Sequence, residues 1–233
     1  MTKKKRLEHT GNYVPISDKE PQSIITEQYR KLRTNIELSN FNQEIKVIGL
    51  TSTMAMEGKT VTSINLATVY AQSKKKTLLI DMDLRKPKIH RGFKMINQIG
   101  LSDMITHNLT IDQAVQEINP YLDILTSGTK LPFPAEFLMS EKLKDLIKSL
   151  REIYERIIID TPPMTAVADA NIISSFTDGM ILVIASRDAQ IDVCERVLDE
   201  LKSNGANIIG SVLTRVEKKD HKYMQYYYSY KTE

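Results

Sequence analysis

Cysteine is almost missing from this chain of 233 residues: Cys194 stands alone, which excludes an internal disulfide and suits a reducing cytoplasm. Its helical neighbourhood makes it a packing residue rather than a nucleophile. The four histidines are scattered and show no metal-ligand spacing. No run of about twenty apolar residues occurs, so no segment reads as a membrane span. The basic head Thr2-Lys3-Lys4-Lys5-Arg6 has no apolar stretch behind it and does not read as a secretory signal. It suits a solvated tail, or a touch on anionic lipid or an acidic partner. The net charge of +3 is too small to imply nucleic acid.

What remains is a chain whose 41% hydrophobic content supports one sizeable α/β domain. Residues 1–22 are polar, carry Pro15 and Pro21, and read as a flexible arm. Residues 23–39 read as a helix capped by Ser23, with Ile25, Tyr29, Leu32 and Ile36 at helical spacing. Strands and helices then alternate. Strand 45–51 leads to helix 59–72, and strand 77–82 to a long connection and a helix near 110–117. Strand 122–126 leads to a helix near 140–153, strand 156–160 to one near 168–175, and strand 179–185 to helix 190–204. Strand 207–213 closes the series. This order predicts a mostly parallel sheet with helices on both faces over 23–216, followed by a tail at 217–233. Leu131-Pro132-Phe133-Pro134 is a stiff connector.

The most informative string is Glu57-Gly58-Lys59-Thr60 behind the apolar run Val47-Ile48-Gly49-Leu50. A buried strand ends, the backbone turns, and a helix begins. The expected nucleotide loop comprises Thr53, Met54, Ala55, Met56, Glu57, Gly58, Lys59, Thr60 and Val61. Loop amides and the helix N-terminus would cradle phosphates, the Lys59 ammonium would reach the terminal ones, and the Thr60 hydroxyl would ligate Mg²⁺. The front half is short of glycine: Thr53 stands where the pattern G-x-x-x-x-G-K-[ST] begins.

Two further strings aim at the same crevice. Leu78-Leu79-Ile80-Asp81-Met82-Asp83 ends a strand in carboxylates spaced i, i+2, on one face while the chain stays extended. Ile157-Ile158-Ile159-Asp160 ends another in an acid. Open parallel sheets bind ligands beyond the carboxyl ends of their strands. Thr60, Asp81 and Asp160 are the natural ligands or water-holders for Mg²⁺. Asp83 is the better candidate to accept a proton from an attacking hydroxyl, with a turn cap as the plainer reading. Lys59, Asp81, Asp83 and Asp160 form the catalytic set. Arg215, at the end of the last strand, falls near where an adenine would lie or is simply solvated.

Two features lie outside the loop. Glu27, Arg30 and Arg33 share one broad helix face, either a solvated charged face or a subunit contact. Tyr223, Tyr226, Tyr227, Tyr228 and Tyr230 gather half of the ten tyrosines at a polar terminus. They read either as a sticky docking tail or as exposed phenols that take phosphoryl groups, each adding about −1.5 to −2 charges.

With E-x-x-R-x-x-R at 27–33, Gly58-Lys59-Thr60, Asp81 with Asp83, Asp160 and the tyrosine cluster, nearly the whole chain resembles the bacterial tyrosine kinases of capsule and exopolysaccharide synthesis. The nearest type is the separate cytoplasmic subunit of Gram-positive bacteria. The resemblance implies a P-loop NTPase fold and autophosphorylation with ATP and Mg²⁺, the tail of one chain entering its neighbour's site. It implies a homo-oligomeric ring built through the E-x-x-R-x-x-R helix and dissociated by phosphorylation. It also implies a membrane adaptor that activates the kinase at the inner face of the membrane, with exopolysaccharide-synthesis enzymes as further substrates. The chain departs from the family at Ala55-Met56, where such kinases often carry proline and glycine. The alternatives are a partitioning or division-site ATPase and a nucleotide-sensing scaffold without turnover. The former carries a signature lysine five residues before the loop lysine, where this chain has Met54.

Overall fold

The computed structural model describes residues 15–39 and 44–216. The five tail tyrosines therefore lie outside the described residues. In chain order the elements are α1 (Ile16–Lys19), α2 (Ile24–Leu38), β1 (Val47–Ser52), α3 (Lys59–Gln72), β2 (Thr77–Asp81), α4 (Ile89–Gly92), α5 (Leu101–Thr106), α6 (Ile111–Ala114), β3 (Gln116–Asn119), β4 (Leu122–Leu125), α7 (Pro134–Leu138), α8 (Glu141–Ile153), β5 (Arg156–Asp160), α9 (Asp169–Ser174), β6 (Gly179–Ala185), α10 (Ile191–Ser203) and β7 (Ile208–Thr214).

The strands form one sheet in the order β3-β4-β2-β5-β1-β6-β7. All neighbours are parallel except β3 with β4. The apolar runs are continuous because both faces are covered. Ile48, Leu50, Leu79 and Ile158 point toward α2 and α3. Val47, Leu78, Ile80, Ile157 and Ile159 pack with Leu143, Ile147 and Leu150 of α8 on the opposite face. Leu182 meets Val197 and Leu201 of α10. Among the described residues no helix is long and apolar enough to cross a membrane.

Four local outcomes differ from the pattern reading. The helix expected near 110–117 stops at Ala114; Val115 is already extended, and Gln116–Asn119 pairs antiparallel with β4. The outer edge of β4 would otherwise leave its amides and carbonyls unpaired, and a short return strand satisfies them. Residues 15–22, read as part of the arm, pack onto α3. The Ser17 amide and hydroxyl donate to Asn65 Oδ1 at 3.1 and 3.0 Å, and Gln72 Nε2 donates to the Ser17 carbonyl at 2.8 Å. Pro134 opens α7, where a missing N–H costs nothing. Helix α2 runs as expected, with the Ser23 hydroxyl accepting from the Thr26 amide at 3.2 Å. Its inward face carries Tyr29, Leu32 and Ile36, while Ile25 is exposed and Thr26 is buried in its stead.

Candidate active site

Strands β2, β5 and β1 lie side by side, so their carboxyl ends open on one place. Asp81 and Asp160 are register partners across β2 and β5, and Leu50 of β1 pairs with Asp160 on the other side. Both acids are fully buried. Two such carboxylates need a cation, and the first residue of α3 supplies it. Lys59 Nζ lies 2.7 Å from Asp160 Oδ1, with both side chains buried. The Thr60 hydroxyl donates to Asp160 Oδ2 at 2.7 Å. One helical turn on, Ser63 Oγ lies 3.0 Å from Oδ1. Asp160 is the hub of this cluster.

Asp81 is engaged differently. Its Oδ2 accepts from the Lys88 and Ile89 amides, each at 2.9 Å, and its Oδ1 from the Asp83 amide at 3.2 Å. Burial foremost, then the Asp160 charge, raises its pKa above the usual carboxylate range, against those amides and Lys59. Asp83 is buried, and its Oδ1 accepts from the Lys86 amide at 3.0 Å. Burial also raises its pKa, with Lys59 opposing. A carboxylate held this way is a better proton acceptor near neutrality than a solvated one.

The loop between β1 and α3 is stitched by a residue the sequence pattern treats as a filler. The Glu57 carboxylate is buried and accepts from the Thr53 hydroxyl at 2.8 Å, the Met54 amide at 2.9 Å and the Ala185 amide at 3.5 Å. The Glu57 carbonyl accepts from the Thr214 hydroxyl at 2.6 Å. Glu57 therefore binds the loop to the ends of β6 and β7. Thr53, standing where a glycine was expected, gives this carboxylate its hydroxyl, and its carbonyl accepts from Thr165 Oγ1 at 2.6 Å. Gly58 takes φ 91°, where a side chain would be strained. Met56 takes φ 69° at the position where the family resemblance places glycine. That conformation costs a non-glycine residue about 1–2 kcal/mol. The Arg215 guanidinium donates to the Met56 carbonyl and pairs with Asp188, which holds the turn. The structure thus places Arg215 on the loop itself.

Arg85 is a residue to which the sequence assigned no role. Its Nε and Nη2 fork onto Asp169 at 2.8 and 3.0 Å, tying the segment that bears Asp83 to the start of α9. The fork crosses 84 residues of sequence, and no local pattern announces it. Glu27, Arg30 and Arg33 sit apart from the crevice on α2. Glu27 is exposed and pairs with Arg30 at 3.2 Å, whereas Arg33 Nη1 donates to the Val69 carbonyl of α3 at 3.0 Å. Cys194 is half-buried, and burial raises its pKa.

These residues fit a nucleotide phosphate chain with a divalent cation. The run from Ala55 to Val61 carries its backbone amides through a turn into the first residues of α3, whose amides have no intrahelical partner. The run ends at the N-terminus of a fourteen-residue helix, the arrangement that receives phosphate oxygens. Among the described residues no group of three or more histidine, cysteine or carboxylate side chains is placed to hold a metal alone. Asp160 with the Thr60 hydroxyl offers the kind of partial oxygen set that magnesium takes, the rest of its shell being phosphate oxygens and water.

Comparison with known proteins agrees with this geometry. Residues 45–208 match the family described as an AAA domain. The chain is 40% identical to the tyrosine-protein kinase YwqD of Bacillus subtilis over 209 residues, 89% of this chain and 88% of that protein. It is 34% identical to the putative tyrosine-protein kinase CapB of Staphylococcus aureus, covering 98% and 99% of the two chains. The crystal structure of the chimerical protein CapA2B2 superposes with a TM-score of 0.83 at 35% identity, covering 88% of this chain and 90% of that one. A plasmid partition protein of Borrelia burgdorferi, at 22% identity and a TM-score of 0.59 over 78% and 87% of the two chains, shares the fold alone.

Proposed function

The chain belongs to the bacterial tyrosine-kinase family of P-loop fold, and from that premise we propose that it phosphorylates tyrosines of its own 217–233 segment between neighbouring copies, in the service of capsule or exopolysaccharide synthesis. The observation that carries this reading is the Lys59–Thr60–Asp160 cluster beside Asp81, at the N-terminus of α3, whose first amides have no intrahelical partner.

ATP supplies the transferable phosphoryl group, and Mg²⁺ neutralises charge on its terminal phosphates. The amides of 55–61 hold the phosphate chain. Lys59 would turn its ammonium from Asp160 to the terminal phosphates, and Thr60, Asp160 and Asp81 would offer oxygens to the metal or its water. Asp81, its carboxylate spanned by three amides, holds the Asp83 segment in place and sets the charge next to Asp160. Asp83 takes the proton as the incoming phenol oxygen forms its bond to phosphorus and the bond to the ADP oxygen breaks. Most of the work in such a transfer is positioning and charge stabilisation.

The wider reading includes a ring of copies joined through Glu27, Arg30 and Arg33 and recruitment to the inner membrane face by an adaptor. The chimerical CapA2B2 relative supports a second component in this family. A kinase domain ending at 216 and a separate tail at 217–233 belong to the same proposal, whereas residues 15–22 of the expected 1–22 arm pack on α3. Met54, exposed at the position of the partition-type signature lysine, argues against a positioning ATPase.

Incubation with γ-labelled ATP and Mg²⁺ tests the proposal. Label on Tyr223, Tyr226, Tyr227, Tyr228 and Tyr230 supports it. Free phosphate alone identifies a positioning ATPase, and neither product identifies a scaffold.

A further inference from the structure

We propose that Ser63 is a positioning residue that holds the Asp160 carboxylate in place when nucleotide and metal draw its other donors away. The inference rests on the Mg²⁺–nucleotide part of the reading above. Asp160 has three side-chain donors: Lys59 Nζ at 2.7 Å and Ser63 Oγ at 3.0 Å on Oδ1, and Thr60 Oγ1 at 2.7 Å on Oδ2. Lys59 and Thr60 are the two that phosphate and magnesium recruit. Once both have turned away, a fully buried carboxylate beside Asp81 has no side-chain donor from α3 except Ser63. Buried carboxylates without donors are strongly disfavoured and reorient or take up a proton.

Ser63 is fitted to remain. It is fully buried on α3 one turn beyond Lys59, and its hydroxyl reaches two acceptors, the Lys59 carbonyl at 3.1 Å and Asp160 Oδ1 at 3.0 Å. A hydroxyl carries a single proton, so it serves one of them at a time. A serine bonded back to the carbonyl four residues earlier is an ordinary helical arrangement. The nearby carboxylate makes this serine different, because a charged acceptor outcompetes a carbonyl that the helix already satisfies. When Lys59 departs, the hydroxyl gives its proton wholly to Oδ1. The carboxylate plane is then fixed, and Oδ2 is left toward the metal or its water. Groups that orient metal-side carboxylates in this way typically change metal affinity 10–100-fold on removal.

Calorimetry of the full chain with a non-hydrolysable ATP analogue, in EDTA and in Mg²⁺, tests the assignment. In Ser63→Ala the affinity in EDTA stays within about twofold of wild type, and the gain conferred by Mg²⁺ falls about tenfold. Ser63→Thr restores that gain, and Ser63→Cys, a weak donor of similar volume, recovers only part of it. A full magnesium gain in Ser63→Ala or Ser63→Cys overturns the proposal. So does an equal loss with and without Mg²⁺, which marks a purely structural serine, or a wild type that gains nothing from Mg²⁺. The kinase reading is judged separately by tyrosine labelling. A chain that binds Mg²⁺–nucleotide without labelling loses that reading and leaves the Ser63 result standing.

Discussion

Lys59→Met separates what the loop lysine does for stability from what it does for chemistry. The Lys59 ammonium is buried against Asp160 at 2.7 Å, with Asp81 in register on the next strand. Removing one member of a buried ion pair costs about 3–5 kcal/mol, because the other charge is left uncompensated. Here Asp160 keeps the Thr60 and Ser63 hydroxyls, so the lower end, about 3 kcal/mol, is expected. For a chain of this size that is a fall of about 6–12 °C in melting temperature. Adding Asp160→Asn removes the orphaned charge, keeps an oxygen for one of the hydroxyls, and recovers about 2 kcal/mol. Neither variant transfers label from ATP to tyrosine. Denaturation without nucleotide, run beside the labelling assay, measures both quantities. A Lys59→Met protein melting within about 2 °C of wild type, or a double variant no more stable than the single one, refutes the buried-pair reasoning. Labelling by Lys59→Met refutes the catalytic assignment.

Glu57→Ala strips the buried acceptor from the Thr53 hydroxyl and the Met54 amide. Each orphaned donor costs about 1–3 kcal/mol, so nucleotide affinity by calorimetry drops at least about tenfold with the far-ultraviolet spectrum unchanged; unaltered affinity sinks the role of Glu57 as loop organiser. Asp81, with its pKa raised to about 7 by burial first and Asp160 second, keeps a proton in the folded state between about pH 4 and about pH 7, where the unfolded chain has released it. Stability of the nucleotide-free chain therefore falls as pH rises through that window. Asp81→Asn flattens that part of the melting profile, and an unchanged slope removes Asp81 as its source. Replacing the five tail tyrosines by Phe abolishes most autophosphorylation and spares ATP binding; persistent label would place the acceptors elsewhere. Arg30→Ala with Arg33→Ala lowers the mass measured by light scattering, and an unchanged mass rejects the interface role. Arg33→Ala alone also costs about 1 kcal/mol of stability, because the Val69 carbonyl loses its charged donor and keeps the Ser73 amide at 3.3 Å.

Much of the architecture was legible before any coordinates, because the relevant signals are local. Runs such as Ile157-Ile158-Ile159 announce strands covered on both faces, and an acid at the end of such a run announces the carboxyl edge of a parallel sheet. Glu57-Gly58-Lys59-Thr60 announced the turn into a helix, and α3 begins at Lys59. Short elements were illegible: α6 and β3 together occupy the stretch that read as one helix, since an edge strand of four residues answers to its neighbour's unpaired backbone and not to its own period.

What the chain order could not express is which partners meet across it. Asp160 lies about a hundred residues from the three α3 side chains it receives, Arg85 meets Asp169, and Arg215 comes back to Met56. Sequence alone determined the strand ends, the loop and the chemical types gathered there, because periodicity and turn chemistry act over a few residues. Only the folded sheet, by laying β5 between β2 and β1, decided that Asp160 rather than Asp81 would hold the lysine. It also turned the Glu57 carboxylate inward to brace the loop and set Ser63, silent in any local pattern, against the Asp160 carboxylate.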